Sequence, residues 1–64
     1  METYMLVKNL GGGKFKKLLG DENYIKLLSE KNRKGIRGQV VYKSGNSHVD
    51  VDTGATILIK QLLK

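Results

Sequence analysis

The sequence contains no cysteine, no proline and no tryptophan, and a single histidine. Each absence removes an option. Without cysteine there is no disulfide framework and no thiolate zinc site, two usual reinforcements of a very small domain. One imidazole, His48, builds no histidine metal cluster. No apolar run approaches the ~20 residues that a membrane-spanning helix needs. The opening stretch METYMLVKNLGGG carries an acid at Glu2 and too short an apolar core for a secretory signal. The expectation is a soluble cytoplasmic protein with no membrane association, no metal and no cofactor. For 64 residues, forming one domain over 1–64, self-association is the remaining reinforcement, so a homodimer is one expectation.

What the chain does have is positive charge. Twelve Lys+Arg stand against six Asp+Glu, a net charge of +6 and an isoelectric point near 9.8. Residues 1–35 hold eight bases and four acids, and residues 36–64 hold four bases and two acids, so the excess lies in the first half. A small basic domain suits a polyanionic partner, nucleic acid first among them. The same charge would also serve solubility alone.

Thr3–Leu10, TYMLVKNL, reads as a strand, with Tyr4 and Leu6 on one face and Met5 and Val7 on the other. Both faces are apolar, so both should be covered. Gly11-Gly12-Gly13 then reads as a flexible turn leading from strand to helix. Lys14, Lys16 and Lys17 follow, and a glycine loop with lysines could approach phosphates. No Gly-Lys-Ser/Thr ending supports a nucleotide-binding loop. Phe15, Leu18 and Leu19 have the i, i+3, i+4 spacing of a helical turn, with Gly20 as its cap. Asp21 would start a second helix over 21–32, its apolar stripe formed by Tyr24, Ile25, Leu27 and Leu28. Lys17–Asn23 and Lys26–Asn32 echo one another as two similar helical turns.

Lys31, Arg33, Lys34 and Arg37 form a basic node interrupted by Gly35. After it come three apolar runs separated by two glycine turns, Ser44-Gly45-Asn46-Ser47 and Thr53-Gly54. Val49 and Val51 alternate with His48, Asp50 and Asp52, the pattern of a strand with one wet face. Ala55–Ile59 reads as a third strand. Lys60–Lys64 either continues it or curls into a helical turn.

Asp52-Thr53-Gly54-Ala55 resembles the active-site turn of retroviral-type aspartic proteases. The resemblance implies Asp52 as a catalytic carboxylate, with Thr53 and Gly54 shaping its loop. It covers four residues, and Asp50 stands where that family is apolar. A turn using Gly54 at positive φ accounts for the same residues, so no enzyme is expected. Val41–Ser47 with Val49 and Val51 is similar to the Gly-Asn-Ser turn of swapped-hairpin antitoxins and AbrB-type DNA-binding proteins, though the proline after that family's second strand is absent. Gly38-Gln39-Val40-Val41 and Val49-Asp50-Val51-Asp52 resemble an SH3-like small barrel, as in ribosomal and transcription-elongation modules.

The expected fold is α+β. An N-terminal strand and a short helical segment pack on a three-stranded antiparallel meander from residues 36–60, small enough to curl into an SH3-like partial barrel. The expected function is sequence-tolerant binding of DNA or RNA, in a transcriptional or architectural regulator. Phosphates would be met by Lys14, Lys16, Lys17, Arg33, Lys34, Arg37 and Lys43, with Tyr42 stacking a base. The alternative is a small phage- or plasmid-type interaction module that docks on an acidic host protein.

Overall fold

A computed structural model describes residues 3–64, so the reading of Glu2 lies outside the described residues. Tyr4–Gly11 forms strand β1. Alternation sends Tyr4 and Leu6 to one face and Met5 and Val7 to the other, and both faces are covered. Leu6 and Val7 are fully buried.

The glycine run leads into a second strand, not into a helix. Gly12 and Gly13 are the central residues of a hairpin joining β1 to β2 (Lys14–Asp21). Their φ angles are 61° and 82°. Positive φ at both positions is what a type I′ turn demands, and glycine adopts it without strain. The helical turn expected over Phe15–Leu19, capped by Gly20, is therefore strand. A β-bulge produced the misleading spacing. Leu6 faces Leu19 and Val7 faces Lys17, which leaves Leu18 as an extra residue. Leu18 and Leu19 thus both pack with Leu6, while Phe15 packs with Val7 on the opposite face. A second irregularity leaves Leu10 unpaired between Asn9 and Gly11.

Helix α1 spans Tyr24–Lys34 and so begins later than the expected 21–32. Asp21 does not cap it. The Asp21 carboxylate accepts from the Asn23 N–H at 2.8 Å, and Asn23 is the N-cap, its Oδ1 accepting from the Lys26 N–H at 3.2 Å. Gly35 ends the helix at φ 64°, where the Ile36 N–H donates to the Lys31 carbonyl at 3.1 Å. Of the two echoing segments, the first begins on β2 and the second lies on α1.

Strands β3 (Gln39–Ser44), β4 (Ser47–Asp50) and β5 (Thr56–Ile57) form the antiparallel meander anticipated, with β5 shorter than Ala55–Ile59. The wet-face reading of Asp50 fails. Asp50 is buried, and β4 ends there. Its Oδ1 accepts from the N–H groups of Asp52 (2.8 Å) and Thr53 (3.2 Å), and its Oδ2 accepts from Gln39 Nε2 (3.2 Å). A short acceptor can bond its own backbone two residues on, so the strand turns where alternation alone predicts that it continues. The last residues, Gln61–Leu63, form β6, parallel to β2.

The sheet order is β5-β4-β3-β1-β2-β6. One face is covered by α1, around Leu6, Leu27 and Val40. The other holds Val7, Phe15 and Val41 under Ile57, Ile59 and Leu62 from the C-terminal segment. That segment pairs with β4 at one sheet edge and with β2 at the other. The sheet is nevertheless not closed, since β5 and β6 share no ladder. The described residues form a small mixed α+β domain with one helix on a six-stranded sheet. Among the described residues no helix is long and apolar enough to cross a membrane.

Candidate nucleic-acid interface

The register of the first hairpin concentrates charge. Lys8 lies directly opposite Lys16 in the β1–β2 ladder. Phe15 and Val7 point to the Val41 face, so by alternation Lys8, Lys14 and Lys16 all project from the face that carries α1. All three are exposed, and among the described residues no carboxylate pairs with any of them. Like charges directly opposite one another destabilise a sheet. The β2–β6 register places Gln61 beside Lys14 and Leu63 beside Lys16. Lys60 joins this end as well. Its N–H donates to the Gly13 carbonyl at 2.8 Å, and its stem lies so close to Gly13 that a Cβ there would stand 2.8 Å from Lys60 Cγ.

The basic end of the helix reaches the same region. α1 packs on β1 and β2, and the chain reverses between β2 and α1. Tyr24 at the start of α1 packs on Tyr4, and Gly38 beyond its end packs on Val7 and Leu6, so the chain returns along β1 toward Lys8. The exit is fixed by Gly38, where a Cβ would meet the Val7 carbonyl oxygen at 2.8 Å and Leu6 Cδ1 at 3.1 Å. Arg37 therefore lies near the level of Val7, after Lys31, Arg33 and Lys34 in the last turn of α1. Cations in the last turn also complement the helix dipole.

One acid stands among them. Glu30 pairs with Arg33 through Oε1 and with Lys34 through Oε2, the latter at 3.4 Å. Burial pushes its carboxyl up. The hydrogen bonds from Lys34 and Arg33, with the charge of both, outweigh that and hold it below its ordinary value. Asp21, by contrast, lies opposite Tyr4 at the far end of the sheet, and Asp50 is engaged by its own turn.

The residues anticipated as one surface divide into separate groups. Lys14 and Lys16 lie at the hairpin end, and Arg33, Lys34 and Arg37 lie at the end of α1 and in the connection after it, where Arg33 also lines a groove with Asp21. Lys17 lies at the level of the hairpin lysines but faces the Val7 side. Tyr42 and Lys43 belong elsewhere. Tyr42 pairs with Tyr4, four strand residues and about 13 Å from the level of Lys8. Its ring sits 6.2 Å from that of Tyr4, which sits 5.5 Å from Tyr24. Lys43 lies further out and on the opposite face, its N–H bonded to the Thr3 carbonyl. Lys8 and Lys60 were not anticipated. Reading Gly12-Gly13 as a two-residue hairpin turn pairs Lys8 with Lys17, and only the irregularity at Leu10 moves Lys8 opposite Lys16; nothing in the sequence marks Lys60.

Asp52 is exposed, and among the described residues no group of three or more His, Cys, Asp or Glu side chains converges as metal ligands would. The chain matches no family model, no curated protein and no solved structure.

Proposed function

We propose that the protein binds nucleic acid through its phosphate backbone, with little dependence on sequence, as a small architectural or regulatory protein. Lys8, Lys14 and Lys16 on the sheet, with Lys34 and Arg37 at the helix exit, are the contacts. One observation carries this reading: two lysines directly opposed in a ladder, with no acid between them, against the local interest of the sheet. A polyanion resolves that repulsion and gains entropy by releasing its counterions.

Binding should fall steeply with salt, with several phosphate contacts contributing a slope of about −0.7 to −0.9 each. Fluorescence anisotropy with labelled DNA and RNA over a salt series measures it. A flat salt response, or no binding at low salt, overturns the proposal. Capture of one acidic protein, unchanged by nuclease, would favour docking on that protein instead. The feature pointing that way is Ile25, 66% exposed in a shallow groove along α1 that is also lined by Asp21, Lys26, Ser29, Glu30 and Arg33.

A further inference from the structure

The aromatic side chains are all accounted for, and none borders the lysine row. The sequence holds three tyrosines, one phenylalanine and no tryptophan. Tyr24 and Tyr42 each pack on Tyr4 at the other end of the sheet. Phe15 stands between Lys14 and Lys16 in sequence but is 4% exposed, turned into the core with Val7 and Val41. The neighbours of Lys14 and Lys16 across β6 are Gln61 and Leu63, which offer no π-face.

From this placement we infer that the surface is built for the backbone of a double helix and discriminates against single strands. The inference rests on the nucleic-acid reading above and narrows it. Single-strand binders combine cations with aromatic rings on which unpaired bases stack. A surface of cations without rings leaves those bases in water, and it forgoes the roughly 1–3 kcal/mol per base that stacking supplies. A duplex stacks its bases internally and presents phosphates alone, so cations suffice.

The layout of the charges agrees. Lys14 and Lys16 are about 7 Å apart along β2, and Lys8 stands about 5 Å across the ladder from Lys16. Lys34 ends the helix that packs on β1 and β2, and Arg37 lies in the connection from it to β3. A row of cations can follow one line of phosphates. A duplex presents such a line along each of its two backbones. The ligand is thus a double-helical phosphate backbone, and the test separates its two sources, DNA and RNA.

The experiment measures anisotropy of duplex DNA, duplex RNA and their separated strands with the full chain, between about 50 and about 200 mM salt. At least one duplex should bind roughly tenfold or more tightly than either of its strands, and which one identifies the source. Lys8→Gln/Lys16→Gln should flatten the duplex salt slope by about two contacts. Circular dichroism would establish that this variant remains folded. Tyr42→Ala should leave all affinities within about twofold. Single strands bound as tightly as duplexes, or weakened by Tyr42→Ala, would overturn the inference and leave the nucleic-acid reading standing. Duplex binding unmoved by the double lysine variant would also overturn it. Failure of every nucleic acid to bind at low salt would remove both readings together.

Discussion

At the scale of single residues, Lys16 separates stability from function. It faces Lys8 across the ladder, so Lys16→Glu converts repulsion into attraction and should stabilise the fold by about 0.2–1 kcal/mol. The same change should sharply weaken polyanion binding. Urea melts and anisotropy on one variant test both, and a variant both less stable and undiminished in binding would contradict the assignment. Gly38 and Gly45 show two different reasons for glycine. At Gly38 a Cβ would press on the Val7 carbonyl, so Gly38→Ala should cost about 1–3 kcal/mol through crowding. At Gly45 there is open space but φ is 60°, so Gly45→Ala should cost about 1–2 kcal/mol through backbone strain alone. Thermal melts compare them, and a larger core-facing residue at Val7 or Leu6 should worsen only the first. Asp50 supplies acceptors to two backbone N–H groups and to Gln39. Asp50→Ala should cost about 1–3 kcal/mol, and Asp50→Asn, which keeps one acceptor oxygen, less; equal losses would show that the turn does not depend on that oxygen.

At the scale of elements, the sequence was most legible where alternation ran unbroken. The faces of β1, the β3–β4 hairpin and the existence of α1 all follow from spacing and turn chemistry. The bulge at Leu18 disturbs the period of β2 and places two leucines on one face, which gives that strand the spacing of a helical turn. Asp50 was read as solvated because alternation describes a continuing strand, while its carboxylate ends that strand. The candidate site was half legible. The sequence groups Lys14, Lys16, Arg33, Lys34 and Arg37 by charge, but only pairing register reveals Lys8 and removes Tyr42 and Lys43 to the other end. Within α1, Glu30 links charge to pH. Its carboxyl lies below the ordinary 4.5, so its small contribution to stability is present above pH 4.5 and is lost as pH falls through its folded value. Stability measured from pH 7 to pH 3 should lose that part of its acid dependence in Glu30→Gln.

At the scale of the molecule, charge is distributed unevenly along the sheet. The hairpin end gathers exposed cations, and Glu30 is the acid that tempers them. Glu30→Gln therefore has a second consequence: by releasing Arg33 and Lys34 it should tighten polyanion binding and steepen its salt dependence. An unchanged slope would place the helix-exit cations outside the interface. The same architecture has a kinetic side. The hairpins β1–β2 and β3–β4 join neighbours in sequence, whereas β6 must find β2 across most of the chain. Such non-local pairing forms late, after the local elements have narrowed the search. The C-terminal segment then acts as a latch over Val7, Phe15 and Val41. Leu62→Ala should accordingly speed unfolding and leave the folding rate nearly unchanged in a chevron analysis. The lifetime of the folded state would then be set by how long those last few residues stay in place.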